Sequence, residues 1–214
     1  MLQQIDSRPF DLADGRGARW DASIARYRDR HTGRLVPERT ARAQAEDLNQ
    51  RFYRANMDRQ TERLINGDIN LQTWQDRMRR EIKDAHITNM VVGRGGRQQV
   101  EFSDWGRVGQ RLQMQYRFLD TFAQEIQQGN MTEAQIRARA VMYATAPRTA
   151  YFDGMTAAGQ AAGHTEERRI LNPAEHCDDC IGYAARGWVP VGTLPKPGQG
   201  SVCLSNCKCE YETR

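Results

Sequence analysis

The sequence predicts a mainly α-helical protein, with an elongated helical body followed by a small C-terminal module of loops and short strands. Three observations lead to this fold class. Apolar residues recur at three- and four-residue spacing through most of the chain, glycines stand where these stretches stop, and all five cysteines lie after residue 176. The chain accordingly divides into an N-terminal arm (1–34), a helical body (35–170) and a cysteine-rich tail (171–214).

The composition indicates a thin core and no membrane partner. Hydrophobic residues make up 39% of the 214 residues, and the mean hydropathy is -0.79. A thin core is typical of elongated helices that gain stability from neighbouring subunits. No stretch approaches the roughly 20 apolar residues of a membrane span, and the N-terminus lacks the apolar segment of a secretory signal. We therefore expect a protein made and used in a cytoplasm-like compartment.

The basic residues are almost all arginines. Only three of the 31 basic residues are lysines, and 27 acidic residues are interspersed among them, which leaves a net charge of +4. The planar arginine fork pairs with carboxylates as well as with phosphates. This balance favours salt-bridged helix faces over a general nucleic-acid binder.

The N-terminal arm contains few apolar anchors, which are Leu2, Ile5, Phe10, Leu12, Trp20 and Ile24. A short helix is predicted near Asp21–Arg30, where a basic run begins that extends through Arg34. Two interpretations of this arm stay open. It contacts a partner or DNA phosphates through its arginines, or it is a loosely held terminus.

The first helix of the body is predicted from Pro37, which suits a first helical turn, to about Ile65, before a stop at Gly67. Its apolar stripe is Ala41, Ala45, Leu48, Phe52 and Ala55. Asn70 then caps a second helix. The stripe of that helix is Leu71, Trp74, Met78, Ile82 and Ala85. The segment Val91–Asp104 is predicted as a glycine loop with a short hairpin.

Three further helices complete the predicted body. The third ends near Gly129 and has the stripe Leu112, Tyr116, Leu119, Ala123 and Ile126. The fourth starts at Thr132, which forms a capping box with Gln135. Its stripe is Ile136, Ala140, Tyr143 and Ala144. Pro147 kinks or ends this helix because proline removes a helical hydrogen bond, and a last helical stretch runs from Thr149 to about Gly163.

The tail carries the residues with recognisable chemistry, which are Cys177, Cys180, Cys203, Cys207 and Cys209, with His176 beside the first. A Cys-x2-Cys pair offers two thiolates from one tight turn, and the later cluster supplies the rest. Zinc binds four such ligands at tetrahedral geometry, so the pattern predicts one structural zinc ion in a zinc knuckle. Cys177, Cys180 and Cys203 are the first three ligands. Cys207, Cys209 or His176 completes the set, with Cys207 slightly favoured.

Disulfides are the competing interpretation of the tail. The odd number of thiols and the absence of a secretory signal favour a metal instead. Five thiols for four positions also indicate a closed, structural site, because catalytic zinc keeps an open position. The metal would supply folding free energy to a segment with almost no apolar core of its own.

Sequence motifs of enzymes are missing, so no catalytic activity is expected. The chain contains no nucleophile elbow, no phosphate-binding loop with its lysine and no metalloprotease helix motif. Gly93–Arg97 is interpreted as a flexible turn, and His164 with Glu166 and Glu167 as a solvated helix end. A zinc-dependent nucleic-acid-binding module is the alternative function, and a nuclease or other zinc enzyme is the weakest hypothesis.

Several short segments of the tail form a recognisable signature, and they are His176–Cys180, Gly187–Gly192, Leu194–Gly198 and Cys203–Cys209. Together they resemble the C-terminal signature of tailed-bacteriophage minor head proteins, the head-morphogenesis group that includes the F protein of phage Mu. The Asn206–Cys209 ending is similar to that group's Asn-Cys-Arg-Cys. Two features differ, since Leu204-Ser205 replaces the usual His-Pro and the Cys177/Cys180 pair is additional.

The resemblance implies a structural virion component that is assembled in the host cytoplasm and acts in head morphogenesis. Its implied partners are the portal protein, the major capsid protein or other virion proteins, and it would be oligomeric in the virion. Contact with packaged DNA is a further expectation. The extra cysteine pair fits a subgroup that stabilises its tail with metal.

Overall fold

The computed structural model describes residues 10–11 and 17–214, and it is mainly helical with a small C-terminal module, as the sequence predicts. The anchors Leu2, Ile5 and Leu12 lie outside the described residues. The helices are α1 (Glu38–Leu48), α2 (Ala55–Ile65), α3 (Leu71–Arg94), α4 (Phe102–Gln127), α5 (Glu133–Thr145), α6 (Arg148–Ala161) and α7 (Asp178–Ala185). The strands are β1 (Phe10–Asp11), β2 (Gly17–Asp21), β3 (Arg26–Asp29), β4 (Glu166–Ile170), β5 (Val189–Pro190) and β6 (Glu210–Thr213). In this part of the chain, no helix combines the length and apolarity that a bilayer crossing needs.

The main core lies among α2, α3, α4 and α5, and the stripes predicted for the last three of these helices contribute to it together with Phe122, which the predicted stripe of α4 omits. Its largest fully buried side chains include Trp74, Met78, Ile82, Leu119 and Phe122. The Trp74 and Phe122 rings meet edge to face with centroids 5.3 Å apart. Each such side chain contributes about 1.5–3 kcal/mol when removed from water, so this cluster supplies much of the folding free energy of the body.

Helix caps that the sequence predicts are confirmed. The Asn70 side chain accepts a hydrogen bond from the Thr73 backbone N–H at 2.8 Å. Thr132 and Gln135 form both halves of the capping box at the start of α5. These side chains satisfy backbone donors that the first helical turn leaves without partners.

The first long helix departs from the predicted stripe in its second half. A π-helical segment, Asn49–Arg54, joins α1 to α2. Because a π-helix has more residues per turn than an α-helix, every fourth residue faces the core along α1, the π segment and α2. The buried residues are Ala41, Ala45, Asn49, Tyr53, Met57 and Thr61. Phe52 is therefore 55% exposed and Ala55 is also exposed, contrary to the prediction.

The inward polar groups of the π segment find partners on α3. Asn49 and Asn89 exchange two amide hydrogen bonds, at 3.2 and 2.8 Å. Tyr53 and Thr88 share a hydrogen bond of 2.6 Å between their hydroxyls. Buried polar groups that are paired in this way fix the register of one helix on the other.

The N-terminal arm contains a β-hairpin, so the helix predicted near Asp21–Arg30 is wrong. Strands β2 and β3 pair antiparallel with Trp20 opposite Tyr27. Alternating side chains on these strands face the body, and the Tyr27 hydroxyl donates to the Val92 carbonyl oxygen at 2.7 Å. A period of two, which is the strand pattern, outweighs the weak helical signal here.

The hairpin predicted within Val91–Asp104 is also wrong. Helix α3 continues to Arg94 and ends at Gly95, whose φ of 94 lies in the left-handed region. A short 3-10 turn, Arg97–Gln99, then leads directly into α4. Gly95 carries a second constraint, because a Cβ there would lie 2.1 Å from the Trp20 ring.

Helices α3 and α6 pack with their backbones in close contact. A Cβ on Gly93 would lie 2.1 Å from the Tyr151 carbonyl oxygen, and a Cβ on Gly154 would lie 2.5 Å from that of Met90. These two glycines therefore set the distance between the helix axes. Helix α6 begins after Pro147, as predicted, and its first residue, Arg148, is thereby brought to the C-terminal module.

A pH prediction follows from His86, which is buried on α3 with Nδ1 2.8 Å from the Ile82 carbonyl oxygen. Burial lowers the pKa of His86 to about 4. The unfolded chain takes up this proton near pH 6.5 and the folded chain does not, so stability falls as the pH drops from about 6.5 to 4. We expect His86 to account for a loss of about 2 kcal/mol between pH 7 and 4.5.

Denaturant unfolding at the two pH values measures this loss, and His86→Asn is the control. The asparagine amide keeps a donor near the Ile82 carbonyl but does not titrate. The variant should lose about 2 kcal/mol less stability than the wild type over the same interval. If both proteins lose the same free energy of unfolding, His86 is not the cause of the acid sensitivity.

Candidate metal centre

Local secondary structure places the five cysteines around one point. Cys177 precedes α7 and Cys180 lies in its first turn, so the helix start presents both sulfurs at one end. Cys203 precedes the 3-10 turn Leu204–Asn206, Cys207 follows it, and Cys209 lies directly before β6. Cys207 and Cys209 therefore lie before the last strand, which starts at Glu210. Cys180, Cys207 and Cys209 are buried, whereas Cys177 and Cys203 are half-buried.

The sulfur separations match those of metal ligands. Cys180 Sγ lies 3.6 Å from Cys203 Sγ and 3.7 Å from Cys207 Sγ, and the Cys177 and Cys203 sulfurs are 3.7 Å apart. Bonds of about 2.3 Å to a tetrahedral metal ion place sulfurs about 3.8 Å apart. A disulfide would join them at about 2.05 Å, and all five thiols are free. The cluster is thus able to hold a metal ion.

The sulfurs are arranged as two sets of three. In the outer set, Cys177, Cys180 and Cys203 have their sulfurs within 4.8 Å of one another. In the inner set, the same holds for Cys180, Cys207 and Cys209, and all three are buried. Cys180 belongs to both sets. The structure therefore brings together every cysteine that the sequence singled out, including both Cys207 and Cys209.

His176 stands beside the inner set rather than within it. Its Nδ1 lies 3.5 Å from Cys209 Sγ, and its Nε2 lies 2.7 Å from the Asn172 carbonyl oxygen. Nε2 therefore donates its proton to that carbonyl, which leaves Nδ1 with a lone pair directed at the sulfur. A carbonyl partner that fixes the tautomer in this way is typical of histidines at metal centres.

Arg169 places a positive charge against the cluster. Its side chain is 2% exposed, and Nη1 lies 3.5 Å from Cys207 Sγ and 4.0 Å from Cys180 Sγ. Nη2 donates to the Pro195 carbonyl oxygen. A buried guanidinium needs a nearby negative charge, and here the sulfurs take the place of a carboxylate. The arrangement therefore favours ionised thiols, which are the form that binds metal.

Substitution of Arg169 tests this electrostatic role. Arg169→Met keeps the apolar volume but removes the charge beside two thiolates, so we expect metal affinity to fall about 10- to 100-fold. Competition with a chromophoric chelator measures the change. The matched control is Arg168→Met on the same strand, where the side chain is 41% exposed, pairs with Glu212 and should leave affinity unchanged. An equal loss in both variants would contradict a specific role for Arg169.

The thiols differ in how readily they ionise. Burial raises the pKa of Cys180 and of Cys203 above the usual thiol range. Burial also acts on Cys207 and is the largest single influence, but hydrogen bonds from the backbone N–H groups of Cys209 and Gly198, together with those from the Cys180 and Cys209 thiols, outweigh it and lower the pKa of Cys207 to about 7. Metal binding must displace protons from the raised thiols, so its affinity depends on pH.

Arg148 connects the loop that carries Cys207 and Cys209 to the helical body. From the first turn of α6 its guanidinium donates to the carbonyl oxygens of Cys207 and Cys209, the latter at 2.8 Å. The same guanidinium is 3.1 Å from a Glu46 carboxylate oxygen. These contacts hold the backbone of Cys207 and Cys209 and leave their sulfurs free to bind a metal ion.

A buried carboxylate organises the loop that precedes the second cysteine cluster. Glu167 is fully buried on β4 and accepts from the backbone N–H groups of Gly192 and Leu194 at 2.8 and 2.6 Å. It also receives Lys196 Nζ at 3.2 Å and the Tyr211 hydroxyl. Burial lowers the pKa of Lys196. The prediction of a solvated helix end is therefore wrong for Glu167, which lies on a strand with its charge enclosed.

The module also shares an apolar core with the body. Leu194 and Tyr211 pack with Val92, Tyr151 and Phe152 in one buried cluster. The tail was expected to have almost no core of its own, and it uses that of α3 and α6 instead. Glu167 and Arg169 were missed in the sequence because the neighbouring charges in Glu166–Arg169 predict an exposed segment, and Arg148 was missed because its partners lie about 60 residues along the chain.

Comparison of the chain with protein-family models, with curated proteins and with solved structures finds no match.

Proposed function

We propose that this chain is a structural minor head component of a tailed bacteriophage, which acts by binding portal or capsid proteins rather than by catalysis. The observation that carries the proposal is the thiol cluster, because two of its members, Cys207 and Cys209, belong to the Asn206–Cys209 ending that resembles the family signature. A cluster made of thiols suits a structural metal ion. The helical body and the module would then form one docking unit inside the virion.

We further propose that the resident ion is zinc. Thiolate ligands select zinc, copper(I) or iron–sulfur clusters over magnesium and calcium. Zinc has no redox chemistry of its own and accepts tetrahedral sulfur sites at about 2.3 Å. The sulfur separations of 3.6 and 3.7 Å support that choice.

Exposed apolar side chains on the module support a protein-binding role. Ile181, Val202 and Leu204 are 48%, 79% and 56% exposed. Side chains of this type on a rigid module are suited to burial against a partner protein. Arg148 joins the module to α6 by a hydrogen bond to the Cys209 carbonyl oxygen, so a partner bound to the module would be held close to the helical body.

Two arginines of the arm, Arg26 and Arg28, favour this role over the nucleic-acid-binding alternative. Arg28 pairs with Asp21 at 2.7 Å, and Arg26 lies 3.8 Å from a Glu38 carboxylate oxygen. Arginines that already pair with carboxylates gain less from phosphate contacts. DNA affinity that is tight at about 50 mM salt and falls steeply with salt would support the alternative instead.

The test is to purify phage particles that encode this chain and to identify their proteins by mass spectrometry. We expect the chain in a few copies per particle and in complexes with portal or capsid protein from disrupted heads. Cys180→Ser, which removes a proposed metal ligand, should be depleted from the particles. Ile181→Ser is the control for metal loss and should still bind metal. If the wild-type chain is found only as a free protein and not in the particles, the proposal is overturned.

A further inference from the structure

The five thiols are more than one tetrahedral ion can use. A single ion needs four donors that are all about 3.8 Å from one another. Among the described residues, the sulfurs that lie mutually within 4.8 Å form two sets of three. Cys180 is common to both, and its sulfur lies at 3.6 and 3.7 Å from one member of each set. The geometry thus offers two three-sulfur sites that meet at one sulfur.

We propose that the module binds two divalent metal ions, one in the outer set and one in the inner set, with the Cys180 thiolate bridging them. This inference rests on the metal centre proposed above and adds a second ion to it. A thiolate has more than one lone pair, so it can bind two metal ions at once. Zinc is the ion for which the sulfur separations are suited at both positions.

The charges of the buried groups favour two ions over one. Five thiolates carry five negative charges, and two divalent ions together with the Arg169 guanidinium carry five positive charges. One divalent ion bound by four thiolates, together with Arg169, leaves a net charge of about -1. The fifth thiol then has no metal. Uncompensated charge is costly in a buried cluster, so the neutral combination is the more stable one.

The position of Arg169 agrees with this balance. Its Nη1 contacts Cys180, the shared ligand, and Cys207 of the inner set. Charge is densest around the shared sulfur, where ligands of both ions converge. A guanidinium at this place stabilises the inner set, whose three sulfurs are all buried.

His176 provides a nitrogen donor beside the inner ion. Its Nδ1 lies 3.5 Å from Cys209 Sγ, close to the roughly 3.5 Å expected between nitrogen and sulfur ligands of one tetrahedral zinc ion. The Asn172 carbonyl holds the ring by its other nitrogen at 2.7 Å. His176 would complete the inner ion if its ring moved closer to the sulfurs of Cys180 and Cys207, from which the set of mutually close ligand atoms now excludes it. The outer ion lies on the half-buried side beside Cys177 and Cys203, with water as its fourth ligand, so the closed site that the sequence predicts would hold for the inner ion alone.

Native mass spectrometry of the full chain after zinc saturation and desalting counts the ions directly. We expect two zinc ions per wild-type chain. Cys209→Ser removes a ligand of the inner set alone and should leave one ion, whereas Lys208→Ala, an exposed neighbour, should keep two. A cobalt(II) titration gives a second readout, because thiolate charge-transfer absorption should rise until two equivalents are bound.

The outcomes separate this inference from the proposal on which it rests. One ion in the wild type, with cobalt absorption saturating at one equivalent, would overturn the bridged pair and leave a single-ion centre. No retained ion would overturn the metal centre itself. Two ions in both the wild type and Cys209→Ser would place the second ion outside the inner set and would also contradict the inference.

Discussion

Cys180→Ser is expected to release the bound metal and unfold the C-terminal module while the helical body stays folded. Cys180 is fully buried and its sulfur belongs to both three-sulfur sets, so no other single substitution removes as many contacts from the centre. Structural zinc supplies about 10–16 kcal/mol in small domains, so we expect the module to lose on the order of 5 kcal/mol or more. Metal analysis and hydrogen exchange over residues 171–214 measure the two effects.

The matched control for this substitution is Ile181→Ser. It introduces serine at the next position of the same helix, where the side chain is 48% exposed and outside the cluster. This variant should keep its metal and its exchange protection. Full retention of metal and protection in Cys180→Ser would contradict the assignment of Cys180 as the shared ligand.

Glu167→Ala is expected to destabilise the protein by about 3–5 kcal/mol, the range for breaking a buried ion pair. The substitution leaves Lys196 without its carboxylate partner, and it also orphans the backbone N–H groups of Gly192 and Leu194. The unpaired Leu194 donor adds a further penalty because Leu194 is buried, whereas water can replace the carboxylate at the exposed Gly192. Denaturant unfolding measures the change in the free energy of unfolding.

Glu166→Ala on the same strand is the control for Glu167. Its carboxylate pairs with Arg214 at the surface, where the two side chains are 41% and 58% exposed. Exposed pairs contribute about 0–1 kcal/mol, so this variant should stay close to the wild type. Equal destabilisation by the two substitutions would mean that the strand itself, rather than the buried carboxylate, is what the module needs.

Sequence periodicity located most of the helical body because local rules and the packed core agree there. Trp74, Met78 and Ile82 follow the 3.6-residue period and are fully buried. Thr132 and Gln135 form a cap from neighbouring residues alone, so no long-range information is needed to predict it. The cysteines were likewise found together because their spacing predicts a shared ligand site.

The π segment could not be predicted from the sequence. An α-helical period places Phe52 on the core side, but Asn49 and Tyr53 have partners on α3 that only the folded body supplies. Those polar contacts favour the wider turn and leave Phe52 exposed. The predicted inward residue, Phe52, and the observed one, Tyr53, are neighbours in the sequence. Local patterns do not resolve a difference of one position.

The charged residues around the metal centre escaped prediction for a different reason. Glu167 and Arg169 alternate with exposed charges on β4, and charged residues are ordinarily at the surface. Their burial depends on partners far along the chain, such as Lys196 for Glu167 and Cys207 for Arg169. Sequence reasoning therefore found the clustered cysteines but not the buried charged groups beside them.

X-ray absorption spectroscopy at the metal edge of the purified, desalted protein tests the thiol-bound metal most directly. The arrangement of Cys177, Cys180, Cys203, Cys207 and Cys209 predicts a first shell dominated by sulfur at about 2.3 Å from zinc. A shell of oxygen or nitrogen alone at about 2.0 Å would contradict it, and so would a protein that retains no metal and has sulfurs paired as disulfides.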